Sequence, residues 1–597
     1  EKENEEHVDY AKRDVYDLIS LQMYFAYVIR GNSTGNMAYL FKIGKNVDLR
    51  RLKYAAEQVF EVHPELKCII QPGEGGMLKN YRCDDRHIEI PIITISDKGW
   101  EIEREKVLRY FTYQEGEELF HSAIYQTDSA NYFLFDLCHA IGDGTGMHLI
   151  FEDLNAIYAG RQLPREEYTF YEYLVDWEDM VKKGGLKRGQ DYFRDLAEGY
   201  RYRRNILTRP DEYDLAHGHN AVIRQPFRSI TRDNVQGFCK KTGASENVFF
   251  LTAFQYCIRI FADQADVMAS SIHSGRIDSR WNRILGPLFK NYIYRYTTIP
   301  HETVPELLGR MSSQIIDTMK SMADCMHFGE FFIQFQGDLL QVDTIGDSPA
   351  EILHVQLDSL PFHLMIHQKG RGYFYELRYW ENRFDREQLQ IFMTAMESVM
   401  LAMFTEPSVR RLSKHLPEEL YPRSVHVSAE RLNELAGYEL VTETTEHPDI
   451  KVYILDARYL KKPFGAWGEL FIMDTPVNAP KDSVRYPYGD GILYNTGIVA
   501  RILPSGELDF LENSGRTILW ESPKGTIFPN LRKIEDALLS VEGVKEAEAW
   551  LGFYEENAMA ISAEIEAEAP IDEEVLQKAV AEQVGEDFIP TVIRFAE

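Results

Sequence analysis

Residues 132–158 constrain the architecture of this chain more than any other stretch. The nearly unbroken apolar run Tyr132-Phe133-Leu134-Phe135-Asp136-Leu137 reads as a buried strand. Beyond it, Met147, Ile150, Phe151, Leu154, Ile157 and Tyr158 recur at helical spacing, and Gly160 is placed to end that helix. Between the two lies Cys138-His139-Ala140-Ile141-Gly142-Asp143-Gly144, followed by Thr145-Gly146. Gly142, Gly144 and Gly146 permit backbone angles that other residues resist, so a tight loop is expected. A strand running through such a loop into a buried helix is a building block of layered α/β folds. It also leaves His139 at a strand end, where a rigid scaffold can present an imidazole at the rim of a cavity.

At 597 residues the chain exceeds what one core can organise, and roughly two to four domains are expected. Hydrophobic residues make up 44% and aromatic residues 12%, the texture of a globular chain. The 94 acidic residues outnumber 65 Lys and Arg, giving a formal charge of −29. That balance argues against nucleic acid and against an anionic membrane surface as partners. The longest apolar run, Val248 to Ala262, is interrupted by Gln255 and Arg259, so no membrane span is expected. Cys68, Cys83, Cys138, Cys239, Cys257 and Cys325 form no Cys-x-x-Cys pair and read as reduced, mostly buried thiols. These features together suit a cytoplasmic protein. The chain opens at Glu1 rather than at methionine, which leaves open a piece of a longer polypeptide.

The N-terminal stretch alternates helix and strand. Val15 to Ile29, apolar and aromatic, reads as a helix, and Met37 to Ile43 alternates as a strand does. Asp48 can cap a helix with Leu49, Leu52, Ala56, Val59 and Val62 on one face, and His63, before Pro64, reads as a helix-end residue. A polar, basic stretch over 182–209 precedes a second block. There Ser245 can cap a long apolar helix, and strands are expected at Val267 to His273, Tyr292 to Ile299, Phe362 to His367 and Tyr373 to Trp380. A helix from Asp385 to about Phe404 closes the block. Two α/β lobes of similar size are therefore expected, over 10–180 and 181–405. Residues 406–448, with prolines at 407, 417 and 422, read as a linker carrying a short helix at Ala429 to Leu435. Residues 449–597 alternate short strands with Gly, Pro and Asp turns around a compact helix near Leu531 to Ser540, a small α+β domain.

Transferring an acyl group from a thioester requires an amine or hydroxyl nucleophile to lose a proton, and an imidazole can take it near neutral pH. His139 is the candidate. Around it, several motifs fall in a telling order. His63-Pro64-Glu65-Leu66-Lys67, Cys138 to Gly144, Ser274-Gly275-Arg276, Gly286-Pro287-Leu288-Phe289 and Tyr375 to Phe384 resemble the series found in condensation domains of nonribosomal peptide synthetases. More broadly, residues 10 to 405 resemble chloramphenicol-acetyltransferase-like acyltransferases, which include alcohol acetyltransferases. Residues 449 to 597 resemble the C-terminal part of an adenylation domain, through Tyr453-Ile454-Leu455-Asp456, Pro463 to Leu470, Tyr494 to Ile498, Ser505 to Phe510 and Gly515-Arg516. Ile498 stands where that family has an Asp that binds the ATP ribose, and the large core with its Gly-rich phosphate loop is missing. The resemblance therefore implies a degenerate part that makes no acyl-adenylate.

For the first 405 residues the resemblance implies two chloramphenicol-acetyltransferase-like lobes forming a V-shaped pseudo-dimer with a central cleft. It places His139 at the family's active histidine, as a base or as a residue that positions the nucleophile; both roles stay open. It implies that Asp143 turns away from the imidazole and pairs with Arg276, a structural clamp on the loop. Gly144 N–H can serve as an oxyanion donor, or Gly144 is simply a turn residue. Cys138 replaces the family's first histidine. Strand neighbours face opposite sides, so a cavity-facing His139 puts Cys138 in the core and disfavours thiolate chemistry. No bound cofactor or metal is expected. His148, His363 and His367 lack partners at ligand spacing, and residues four apart on a strand lie roughly 13 Å apart. Arg201, Tyr202, Arg203 and Arg204 read as a solvated basic face.

The implied activity is a condensation-type acyltransferase moving an acyl or peptidyl group from a pantetheine thioester, on a carrier protein or coenzyme A, to an amine or hydroxyl acceptor. An acyl or peptidyl carrier protein is then the expected partner, with a small-molecule amine or alcohol as acceptor. The alternative is a catalytically impaired scaffold or docking module in a nonribosomal peptide synthetase system. Retention of His139, Asp143, Gly144 and Arg276 as a set favours the enzyme.

Overall fold

The computed structural model describes residues 9–596 apart from 211–217, 322, 324–329, 340, 354–359, 424, 443–448, 479–482, 523–524 and 555–557; Cys325 lies outside the described residues. The first lobe is built on a five-stranded sheet in the order Glu351–Leu353, Asn36–Ile43, Asn131–Cys138, Phe120–Gln126, Ile92–Thr94. Strand Asn131–Cys138 is buried at every position, because both of its faces are covered. Phe133, Phe135 and Leu137 pack with Phe60 and Phe151 in the main core, while Tyr132 and Leu134 meet Trp100 on the other side. Helix Leu49–Val62 forms as its cap dictates, with the Asp48 carboxylate accepting from Arg50 N and Arg51 N. The stretch Val15 to Ile29 is not one helix. Val15–Tyr16 is a strand, Ser20–Met23 is α-helical and Tyr24–Val28 is a π-helical turn. Its aromatics are drawn into separate tertiary contacts that override a regular helical period.

The second lobe carries a six-stranded sheet in the order Lys290–Thr297, Asp266–His273, Phe332–Gly337, Phe362–Lys369, Gly372–Trp380, Asn220–Thr231. Helix Glu246–Ala262 covers it, capped by the Ser245 hydroxyl accepting from Val248 N at 3.2 Å. Helix Arg386–Met403 packs beside it, capped by Asp385.

The lobes are stitched together. Glu351–Leu353 leaves the second lobe and pairs antiparallel with the first lobe's edge strand, Ile352 opposite Phe41. Trp281, Ile284, Leu285, Leu288 and Phe289, from the loop between two second-lobe strands, are buried in the first lobe's core. A division at 180/181 thus follows the chain but not the packing.

Residues 406–448 are structured wherever described, unlike the linker read from their polarity. Val409, Leu412, Leu416 and Leu420 join the second lobe's core. Val425–Ser428 pairs with Asp449–Leu455 and opens a sheet that continues through Gly468–Met473, Ile492–Ile502 and Ser483–Arg485. A last unit sets helices Leu531–Leu539 and Glu573–Gln583 against a sheet of Val544–Tyr554, Ala558–Ala567 and Val592–Phe595.

The basic run at 201–204 is an interdomain strap, not a solvated face. Tyr202 and Leu551 exchange backbone hydrogen bonds at 3.0 Å. Arg201 donates to Glu548 and Glu564 at 2.8 Å and lies 4.0 Å over the Trp550 ring. Arg203 pairs with Glu548. The charges are arginines opposite carboxylates from another part of the chain, which local reading cannot supply.

Candidate active site

His139 follows the last residue of strand Asn131–Cys138 and is half-buried, held by its backbone, its Nδ1 and two aromatic rings. Its backbone N–H donates to Gly35 O at 2.8 Å. Its ring stacks flat on Phe25, centroids 4.5 Å apart and planes 8° from parallel, and Phe289 closes from the second lobe's loop at 5.2 Å. Gln22, in the same N-terminal segment as Phe25, donates to Ala140 O at 3.0 Å and ties that segment to the loop. Nδ1 lies 3.1 Å from Gly142 O. A carbonyl only accepts, so Nδ1 carries the proton and Nε2 presents a lone pair. Nε2 makes no hydrogen bond among the described residues. Burial lowers the imidazole's pKa, and the Asp143 charge and the carbonyl contacts only partly oppose it. The ring is therefore neutral at pH 7.

Asp143 performs two tasks, neither of them on the imidazole. It caps helix Gly144–Tyr158, its Oδ1 accepting from Gly146 N at 2.8 Å. It also receives Arg276: Nη1 donates to Oδ2 at 2.8 Å and Nη2 to Oδ1 at 3.0 Å, with Leu288 N donating to Oδ2 at 3.1 Å. Arg276 further donates to Ser274 O and Ile284 O. Both side chains are buried. The pair joins the helix start below His139 to the second-lobe loop that delivers Phe289 above it.

Glycine matters here in a different place from the one the loop suggests. None of Gly142, Gly144 and Gly146 has a positive φ. A Cβ on Gly142 would meet Leu137 Cδ2 at 2.5 Å, while one on Gly146 would make only ordinary contacts. Gly275 is the constrained position. Its φ is +70°, and a Cβ there would lie 1.7 Å from Leu288 O. The Ser274-Gly275-Arg276 and Gly286-Pro287-Leu288-Phe289 motifs are thus one packed unit. Gly144 is the first residue of its helix, half-buried, and its N–H makes no hydrogen bond among the described residues.

Cys138 faces the core. It is fully buried, its Sγ lies 3.3 Å from the Tyr113 hydroxyl, and burial pushes its pKa up to about 12. A thiolate is unavailable at neutral pH. His63 is more than a helix end. Its Nε2 lies 2.7 Å from Asp153, which also accepts from Arg283 at 2.7 Å, a second latch between the lobes. Burial alone would lower the His63 pKa, but the hydrogen bond to the Asp153 carboxylate and the negative charges of Asp153 and Glu65 outweigh it and raise it to about 9. His363 hydrogen-bonds Gln334, and His367 stacks on Phe374. Among the described residues no group of three His, Cys, Asp or Glu could hold a metal ion, and no helix is long and apolar enough to cross a membrane.

Phe25, whose ring shapes the site, lies in no motif, and Phe289 lies in Gly286-Pro287-Leu288-Phe289, a motif that does not foretell its contact with His139. The one local signal is the density of aromatics in Tyr24-Phe25-Ala26-Tyr27, now a π-helical turn, a feature often found at functional sites.

The condensation-domain family model matches residues 12–325, more than half of the chain. Surfactin synthase subunit 1 of Bacillus subtilis (strain 168) is 22% identical over 190 residues, 32% of this chain and 5% of that protein. The chain thus spans about a twentieth of that relative's length. The condensation domain of the monacolin K polyketide synthase MokA is similar in structure with a TM-score of 0.56 at 12% identity, covering 66% of this chain and 99% of that one. Holo-AB3403, a four-domain nonribosomal peptide synthetase bound to AMP and glycine, superposes with a TM-score of 0.65 at 10% identity, covering 98% of this chain and 70% of that one. The architecture is the two-lobed chloramphenicol-acetyltransferase-like one. With the matched span holding His139, Asp143 and Arg276 together, the chain belongs to the condensation-domain family.

Proposed function

We propose that this protein transfers an acyl or peptidyl group from a pantetheine thioester to an amine or hydroxyl, with His139 at the reacting centre. The observation that carries the reading is the His139 imidazole, held neutral, with Nδ1–H spent on Gly142 O and Nε2 unengaged. As the acceptor attacks the thioester carbon, its proton passes to Nε2. Collapse of the tetrahedral intermediate breaks the C–S bond, and the imidazolium returns that proton to the departing thiolate. Gly144 N–H, at the positive end of its helix, is the proposed donor to the oxyanion. Asp143 and Arg276 act through the loop as positioning residues, since both are consumed by each other and by backbone groups. The proposed partner is an acyl or peptidyl carrier protein.

Residues 449–597 are proposed to be a degenerate adenylation part without ATP chemistry. Ile498 supports this: it packs against the apolar core of its sheet, as a hydrophobe does and a ribose ligand does not.

The test is to offer acyl-carrier and acyl-coenzyme A thioesters with amine and alcohol acceptors and follow products by mass spectrometry. Wild type is expected to form product and His139→Ala to lose it. Carrier binding without product in any combination would favour a scaffold instead.

A further inference from the structure

A cavity of about 900 Å³ opens at a junction remote from His139. Three stretches far apart in sequence build it: the C-terminal end of helix Glu246–Ala262 with the loop after strand Lys290–Thr297, the segment 409–423, and the turn 456–463. It therefore exists only because the C-terminal unit docks on the second lobe. Its volume is that of a small-molecule site.

The charge of the wall is opposite to that of the protein. Arg259, Arg410, Lys414, Arg423 and Lys461 line it and make no ion pair among the described residues. Two further cations have partners. Arg458 is held by Asp456 at 3.0 Å, and buried Lys462 donates to Asp263 at 2.9 Å and to Ile260 O at 2.6 Å. Glu418 is the third carboxylate. Seven cations against three carboxylates leave a formal +4, in a chain of net −29. Unpaired like charges on one concave surface repel each other and focus their field into the cavity, a cost that a bound polyanion removes. Arg259 is already oriented, with Nε donating to Thr298 Oγ1 at 2.9 Å and the guanidinium 5.5 Å over the Tyr256 ring. The wall also contains two buried hydroxyls without a hydrogen-bond partner, those of Tyr296 and Ser413. Arginine forks and lysine point charges together are the groups that bind phosphate oxygens.

We propose that this cavity binds a small polyphosphorylated molecule, with the C-terminal unit supplying one wall. The site gives that unit a role that does not involve ATP-driven activation, and it stands independently of the acyl-transfer reading.

Inorganic triphosphate is the probe, titrated calorimetrically into the full chain. Saturable binding is expected, weakened by roughly tenfold or more in Arg410→Glu/Lys461→Glu. Both positions are exposed, so an unchanged melting temperature should accompany the loss. Lys240→Glu, an exposed lysine on helix Arg232–Thr242 outside the cavity, is expected to bind as wild type does. The proposal is overturned by absent saturable binding, by equal affinity in the double variant, or by an Asp/Glu-rich peptide that displaces triphosphate at lower concentration. That last outcome assigns the cavity to a protein segment.

Discussion

Arg276 grips both carboxylate oxygens of Asp143, at 2.8 and 3.0 Å, from the other side of the lobe boundary. The same carboxylate caps the helix that begins beneath His139. One buried ion pair thus fixes the register between the loop that carries the imidazole and the loop that carries Phe289. Removing only Asp143 strands a buried guanidinium. Asp143→Ala is expected to destabilise the protein by about 3–5 kcal/mol, seen as a lower melting temperature in calorimetry. Replacing both partners, as Asp143→Ala/Arg276→Met, should restore much of that stability while transfer stays slow, because Gly146 N still lacks its cap. An unchanged melt for Asp143→Ala would remove the clamp from this account.

Gly275 sets a steric limit on the same junction. With φ at +70° and Leu288 O at 1.7 Å from any Cβ, Gly275→Ala must push the 286–289 backbone away. A strain of at least about 1–3 kcal/mol is expected, together with displacement of Phe289 from His139. Gly146→Ala, by contrast, meets only contacts of 3.4 Å and longer, and should fold and turn over nearly as wild type does. Thermal melts and transfer rates of the two variants compare these directly.

Phe25 is the flat wall behind the imidazole. Phe25→Ala should leave His139 free to leave its productive rotamer and lower the transfer rate by roughly 10–100-fold, with a smaller effect on binding of the donor. A rate equal to that of wild type would show that Gly142 O alone orients the ring.

The strand Asn131–Cys138, the helix Gly144–Tyr158 and the caps Asp48 and Ser245 were legible in the sequence because their causes are local: period, burial and the first-turn amides. The motif residues at 139, 143, 275, 276 and 289 were legible as an ordered series. What escaped depends on partners distant along the chain. Glu351–Leu353 reads as nothing alone and becomes a strand only at the edge offered by Asn36–Ile43. Arg201 and Arg203 look solvated until Glu548 and Glu564 arrive opposite them. Phe25 contacts His139 because the segment 15–29 breaks into short pieces, against its apolar pattern. The polarity of 406–448 hid Leu412 and Leu420, two fully or nearly buried anchors.

His63 gives a separate, pH-dependent stability. Its folded pKa is raised from 6.5 to about 9 by Asp153 and Glu65 acting against burial. A raised histidine stabilises the fold fully below its unfolded pKa and loses that contribution as pH rises through the folded one. Stability should therefore fall between pH 6.5 and about 9, by about 3 kcal/mol from this group. Urea denaturation across that range should show the slope in wild type and its loss in His63→Leu.

In the proposed mechanism a neutral His139, with Nε2 unprotonated, serves the reacting group. The most direct measurement is the pH dependence of the single-turnover transfer rate, in wild type and in His139→Ala. Because burial lowers the imidazole's pKa below 6.5, the wild-type rate should already be on its plateau at neutral pH and fall only as the ring protonates in acid. His139→Ala should lose both the rate and that acid limb. An equal rate in His139→Ala, or a wild-type rate that declines from pH 6.5 upward, would contradict the account.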